Sequence, residues 1–313
     1  MRATAIVLAA GVLAALASVS PAIAAGCGGQ IPCQCGDTVQ SSTTLAADLG
    51  VCAGVGLRVV SGVALDCDNH TITGNDSGAT YGVLIDTAVG AEVKNCRVTG
   101  FHRGIRVDGG QGNRVTTNEA FENDNYGIEL AGGSLGSVVS GNFVYRNRDE
   151  GIHVGEGAHN TVVRENIATK NKNENIYVLG SNGCQVIMNT VSQTESAGIF
   201  IKHSRSAYVA QNTVINGPIH VRGNSVGNRF EANNLRGNGY FFEAFEEPPG
   251  TWTYPHQNAV IGGMVENTTT CLRFAGAFHN TVNELKLDNE CEVTMWPLGG
   301  RDAINQINTL PLP

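Results

Sequence analysis

Apolar and polar positions in this chain alternate in short runs that return on a fixed beat. The unit is glycine or a stand-in, then apolar, variable, apolar. It reads Gly82-Val83-Leu84-Ile85, Gly104-Ile105-Arg106-Val107, Gly127-Ile128-Glu129-Leu130, Gly151-Ile152-His153-Val154, Asn175-Ile176-Tyr177-Val178, Gly198-Ile199-Phe200-Ile201 and Pro218-Ile219-His220-Val221, at steps of 22, 23, 24, 24, 23 and 20 residues. Within each unit the period is two, which predicts a short strand with its two apolar side chains inward and the middle residue outward. Repetition at this interval predicts a solenoid, in which each repeat buries its apolar face only by stacking on its neighbours.

A second ladder keeps the same beat. Asn118, Asn142, Asn166, Asn189, Asn212 and Asn233 recur at steps of 24, 24, 23, 23 and 21. One asparagine per repeat at one turn suits a stack of side-chain amides, each bonding the next and satisfying buried turn backbone. Leucine-rich repeats would carry a leucine scaffold and helical repeats a 3.6 period, and neither is present. The two ladders resemble the right-handed parallel β-helix family, whose coils have three short strands and an internal asparagine ladder. The resemblance covers about residues 57–300. It implies an all-β, single-stranded solenoid of about ten coils of roughly 23 residues. In the coil from Gly127 to Glu150 it places Ile128, Leu130, Val139 and Val144 inward, Glu129 outward and Asn142 at the ladder turn.

The frame continues through Gly239-Tyr240-Phe241-Phe242, Cys271-Leu272-Arg273-Phe274 and the region of Cys291. The step of 32 from Gly239 to Cys271 predicts an inserted loop at about 243–257, carrying Glu246, Glu247, Trp252 and Tyr254. Residues 1–24 read as a secretory signal, with an Ala/Val/Leu-rich run and a small-x-small cleavage site near Ala24. A lipid anchor on Cys27 is the competing reading of that site. No apolar stretch long enough to span a bilayer follows. Residues 25–56 are expected to cap the open end of the stack as a strand or short helix, and 301–313 to form a tail. The protein is thus expected to be secreted or periplasmic.

Nine cysteines in an exported chain imply disulfides plus one left over. Cys271 with Cys291, Cys35 with Cys52, and Cys67 with Cys96 are the expected bridges. Cys184, alone in mid-stack, is the expected free thiol. A metal cluster of Cys27, Cys33 and Cys35 is the alternative. Net charge is −8 with no basic stripe, which disfavours nucleic acid as a partner. The sequence leaves the oligomeric state open.

Candidate chemistry lies in the variable position of the repeating unit. Read coil by coil it gives Leu84, Arg106, Glu129, His153, Tyr177, Phe200, His220, Phe241 and Arg273. Similar β-helix enzymes that cleave or epimerise uronate polysaccharides place their sites on this face. Such chemistry needs a base for the C5 proton, a cation for the enolate-like intermediate and an acid for the leaving oxygen. Arg106, His153 or Lys202, and Tyr177 are the candidates for these roles, with Glu129 orienting His153. Glu150 and Glu174 flank the same face. Phe200, His220, Phe241 and Trp252 are candidate sugar contacts, or packing for the loop. The Asp-Pro-His-Asp motif of many β-helix mannuronan epimerases is missing; that place reads Gly151-Ile152-His153-Val154-Gly155-Glu156. Asp86 and Asp108 fall at one repeat position, so they are expected one interstrand spacing apart, either as part of a Ca²⁺ site or as solvated turn residues. These features are read as a carbohydrate protein of the lyase or epimerase type that takes a polysaccharide as partner. The alternatives are a non-catalytic carbohydrate-binding or adhesin-like module and, because the repeats also resemble them, a NosD-like periplasmic accessory protein.

Overall fold

The computed structural model describes residues 26–76, 78–155, 157–289, 291–296 and 305–312. The predicted signal and Glu156 lie outside them. The described chain is all strand and turn, wound as a parallel β-solenoid of about 11 turns spaced about 23 residues apart. Each full coil contributes three short strands, as in Ile128–Ala131, Val138–Ser140 and Phe143–Tyr145. The first strands form one thirteen-stranded parallel sheet from Gly26–Cys27 to Glu292–Trp296.

Alternation does what the sequence requires. Ile128, Leu130, Val139 and Val144 are fully buried, and equivalent residues above and below them make one continuous apolar column. Burying such a side chain stabilises the fold by roughly 1.5–3 kcal/mol. Towards the far end the column becomes aromatic, with Phe242 stacked on Phe274 at 5.2 Å and Phe230 edge-on to both Tyr240 and Phe242. The glycine that opens the unit is there for lack of space. A Cβ at Gly151 would sit 2.6 Å from the Asn175 carbonyl oxygen of the next coil.

The asparagine ladder forms as expected, and its backbone geometry shows why. The residue before each ladder asparagine is left-handed: Thr117, Glu165, Met188, Gln211 and Ala232 have φ of 53–57°, and Gly141 has 66°. That conformation costs a non-glycine residue roughly 1–2 kcal/mol, and it turns the asparagine amide inward. There Asn142 Nδ2 donates to Asn166 Oδ1 at 2.9 Å and to the Val115 carbonyl at 2.9 Å. Two further ladders stand at other turns: Asn123, Asn147 and Asn171; and Asn228, Asn258, Asn280 and Asn305.

Four disulfides join Cys27–Cys33, Cys35–Cys52, Cys67–Cys96 and Cys271–Cys291, and Cys184 is free and buried. The three expected bridges are present, and Cys27 and Cys33 form a fourth. Thr38–Val39 pairs with Leu57–Val59, so the capping segment joins the first sheet as a strand. At the other end Gln306–Pro311, within the stretch expected as a tail, extends the second sheet by pairing with Thr281–Leu287. The inserted loop is an antiparallel hairpin, Phe245–Glu247 with Thr251–Thr253.

Candidate functional site

The outward residues of the first sheet stand in one unbroken register. Arg106 pairs with Glu129, Glu129 with His153, His153 with Tyr177, Tyr177 with Phe200, Phe200 with His220, His220 with Phe241 and Phe241 with Arg273. Strands about 4.8 Å apart bring flat side chains within stacking distance. Tyr177 stacks on Phe200 at 4.9 Å and Phe200 on His220 at 4.8 Å, with planes within 18° of parallel. Rings stacked in this way cover each other's faces, which leaves Phe200 only 9% exposed. A sugar ring could meet its edge but not its face.

The stack turns edge-on at two places, and a carboxylate sits at each. At the first, His153 meets Tyr177 at 5.3 Å and 90°, while its other neighbour, Tyr126, lies stacked at 4.6 Å. Glu150 is packed beside them, 6% exposed against 8% for His153. Its Oε1 lies 3.7 Å from His153 Nδ1, and among the described residues neither Glu150 Oε2 nor His153 Nδ1 has a hydrogen-bond partner. Burial raises the Glu150 carboxyl above its ordinary range and the charge of Asp149 adds to it, against the opposing pull of His153. Burial likewise pushes the Tyr126 phenol up to about 12 and raises Tyr177, with nearby carboxylates adding in both cases. Glu150 is therefore a carboxyl disposed to hold a proton, beside an imidazole and two phenols.

One coil further up, Arg106 and Arg103 share Glu129. Arg106 Nη1 donates to Glu129 Oε2, Arg103 Nε lies 2.7 Å from the same oxygen, and Arg106 also donates to Asp108 Oδ2 at 2.9 and 3.1 Å. The Arg103 guanidinium lies over Tyr126 at 5.4 Å, which ties this ionic group to the Glu150–His153 centre.

At the second place His220 meets Phe241 at 6.2 Å and 82°. Here Glu243 is bound by three partners: His220 Nε2 at 2.8 Å, Arg222 at 2.7 and 3.1 Å, and Arg273. Burial opposes its ionisation, yet the bond and charge of His220 with those of the two arginines hold it at about 2. Burial lowers the His220 imidazole, against the pull of Glu243. The two carboxyls on one face are thus driven in opposite directions.

Of the residues expected to form a site, the structure brings Arg106, Glu129, His153 and Tyr177 together on consecutive strands. Lys202 stands in the next column, in register with Leu179 and Arg222, and turns to the hairpin. Its Nζ lies 3.4 Å from Glu247 and 4.0 Å over the Phe245 ring. It is held away from His153. Phe200, His220 and Phe241 continue the ring column, and Trp252 sits on the hairpin opposite Glu246, 43% exposed. Asp86 and Asp108 are register partners, with Asp108 committed to Arg106. Among the described residues no group of three or more His, Cys, Asp or Glu is placed to hold a metal ion. Tyr126, Arg103, Arg222 and Glu243 were not singled out from the sequence. Arg222 and Glu243 lie two residues after the variable position, where the alternation turns side chains outward again, whereas Arg103 and Tyr126 lie three before it, beyond the opening glycine, where the alternation is broken.

A family model described as periplasmic copper-binding protein (NosD) matches residues 67–267. No curated protein matches the chain. Among solved structures, the A-module of the mannuronan C-5 epimerase AlgE4 of Azotobacter vinelandii is similar at 14% identity and a TM-score of 0.64, over 88% of this chain and 84% of that one. The periplasmic alginate epimerase AlgG, as a point mutant, is similar at 14% identity and 0.60, over 90% and 77%. DFA-IIIase of Arthrobacter chlorophenolicus A6, in complex with GF2, is similar at 15% identity and 0.56, over 86% and 75%. These likenesses show a shared right-handed parallel β-helix.

Proposed function

The chain belongs to the NosD family, and on that premise we propose that it is a periplasmic or extracellular protein that takes an acidic polysaccharide along the outward face of its first sheet and cleaves it by elimination. The observation that carries this reading is the buried Glu150–His153 pair, a carboxyl whose ionisation burial opposes beside an imidazole whose Nδ1 has no hydrogen-bond partner among the described residues. Such a pair supplies an acid and a base on one face. His153 would remove the C5 proton of a uronate unit, Glu150 would protonate the departing glycosidic oxygen, and the electron pair left at C5 would become the C4–C5 double bond. Tyr177 is the neighbouring phenol that would position the sugar. A uronate carboxylate reaching Arg106 would displace Asp108, whose side chain is 37% exposed, before Glu129 at 7%. The names of the similar structures, two alginate-modifying epimerases among them, support a carbohydrate as the partner.

The copper in the family's description does not fit the donors present. Eight cysteines are in disulfides, and Cys184 is buried alone. His220 and His203 are each engaged by a glutamate. A Ca²⁺ at Asp86 would likewise compete with Arg106 for Asp108, so its effect belongs in the assay. The test is to incubate the mature protein, with and without Ca²⁺, against uronate-containing and neutral polysaccharides and follow the ultraviolet absorbance of unsaturated ends. Loss of a general acid or base typically costs roughly 10²–10⁴-fold in rate, so His153→Ala and Glu150→Gln should each remove most of the product. Saturated fragments would replace elimination by hydrolysis, and binding without product across the panel would make the face a docking surface.

A further inference from the structure

Beside the far end of the ring column an open pocket of about 470 Å³ is lined by Gly237, Asn238, Phe241, Asn267, Thr268, Thr269, Thr270 and Asp288. This is the size of an ordinary small-molecule site, roughly 300–1,000 Å³. Its chemistry differs from that of the face it adjoins. The lining offers two amides, three threonines, one carboxylate and an aromatic ring, and no cation. Two neighbouring guanidiniums are already committed: Arg273 lies over Phe241 at 4.2 Å and is bound to Glu243, and Arg236, one residue before Gly237, lies 3.8 Å from Glu266.

The pocket is also held in shape. Asp288 Oδ2 accepts the Asn267 backbone N–H at 3.2 Å, which links its two walls and leaves Oδ1 for a ligand. The Thr268 hydroxyl donates to the Thr270 carbonyl at 3.3 Å. The disulfide Cys271–Cys291 staples the segment that follows Thr270 to the one that follows Asp288. Phe241 belongs to both the pocket and the ring column, so a chain lying on the column would pass into the pocket.

We propose that this pocket binds a neutral, hydroxyl-only sugar unit, with Asp288, Asn238, Asn267 and the threonines taking its hydroxyls and Phe241 bordering its apolar side. Hydroxyl groups need both donors and acceptors, which amides and threonines supply. A sugar carboxylate entering here would meet Asp288 with no cation in the lining to offset the repulsion. The proposal deepens the polysaccharide reading: the substrate carries neutral units beside its acidic ones, or ends in one.

The test is calorimetric titration of the full chain with neutral hexose oligosaccharides and with oligouronates, using wild type, Asp288→Ala, Asp288→Asn and His153→Ala. Neutral oligosaccharides should bind wild type and His153→Ala alike. Asp288→Ala should weaken that binding about tenfold, which is 1.4 kcal/mol. Asp288→Asn keeps an acceptor without the charge, so it should stay within about threefold for neutral sugars and admit oligouronates better. Three results would overturn the proposal: no neutral oligosaccharide binding to wild type, neutral binding unchanged in Asp288→Ala, or oligouronate binding lost in Asp288→Ala as fully as neutral binding. Unsaturated products from uronate chains alongside any of these would sink the pocket and leave the elimination reading intact. Neutral binding lost in Asp288→Ala, with no turnover anywhere, would do the reverse.

Discussion

Asn166→Ala removes one amide from the middle of the main ladder, and its cost can be worked from the bonds it strands. Asn166 Oδ1 accepts from the Asn142 backbone N–H and from Asn142 Nδ2, each at 2.9 Å. Its Nδ2 donates to the Val139 carbonyl at 3.0 Å and to Asn189 Oδ1 at 2.9 Å. Alanine leaves two groups without a partner, the Asn142 N–H and one Asn142 amide hydrogen, and takes one of its donors from the Val139 carbonyl, which stays in the sheet ladder. Asn142 is almost wholly buried, so each stranded group costs roughly 1–3 kcal/mol and the pair roughly 2–6 kcal/mol. That is a large part of the roughly 5–15 kcal/mol that holds a domain folded. Asn305→Ala is the internal comparison. It also strands partners, but Asn305 is half-exposed at the end of its ladder, where water can replace the bonds, so about 1 kcal/mol is expected. Urea titrations followed by circular dichroism measure both, provided the slope is unchanged between variants. If the two substitutions cost the same to within about 1 kcal/mol, the buried amide stack is not what stabilises the coils.

Glu150→Gln should remove a pH dependence. A carboxyl raised in the folded state binds its proton more tightly there than when unfolded, so wild type loses stability as pH climbs from the ordinary value of 4.5 through the raised one. The variant should match wild type near pH 4 and exceed it near pH 8; a gap equal at both would count against burial as the cause. Glu243 runs the other way, since its folded value of about 2 adds stability above 4.5 that is lost as pH falls towards 2. Glu243→Gln should therefore be about 1–3 kcal/mol less stable near pH 7, after allowance for its partial solvation, with thermal melts converging in acid; parallel melts would refute the linkage. Cys184, pushed up to about 11 by burial, should stay unmodified by a disulfide reagent at about pH 8 in the native protein and react once it is unfolded. Rapid native labelling would show that its coil opens locally.

Much of the fold was legible because stacking converts periodicity into contact. Once Gly104, Gly127 and Gly151 set the beat, the residues two positions on had to form one column, and Arg106, Glu129 and His153 do. Cysteines were legible for the same reason, since Cys271 and Cys291 fall at one position of adjacent coils. The other ladders were harder to read. Asn228 and Asn258 are 30 residues apart because the hairpin intervenes, and Asn147 lies only five residues after Asn142 and blurs into its pattern. The site was legible as a stripe but not as a set of pairings. Glu243 gathers His220, Arg222 and Arg273 through side chains that reach across columns, and Lys202 follows Glu247 on a hairpin whose position no repeat dictates. Side-chain reach and loop placement carry no period, so periodicity could not assign them.

The positions of the four disulfides determine where this molecule can come apart. In a stack held only by contacts between neighbours, the easiest opening is fraying from an end, because only one interface is lost. Here Cys35–Cys52 and Cys67–Cys96 crosslink the coils at one end, with Cys27–Cys33 closing a local loop beyond them, and the fourth bridge ties Cys271 to Cys291, while coils from about residue 97 to 270 have none. Between the fastened ends, the unbridged coils have to open as an internal bubble that breaks two interfaces at once. That raises the barrier to the first step and gives the whole rod a slower clock than any single coil would have. It also means that a reducing agent should act on the lifetime of the fold before it touches the shape of the central face.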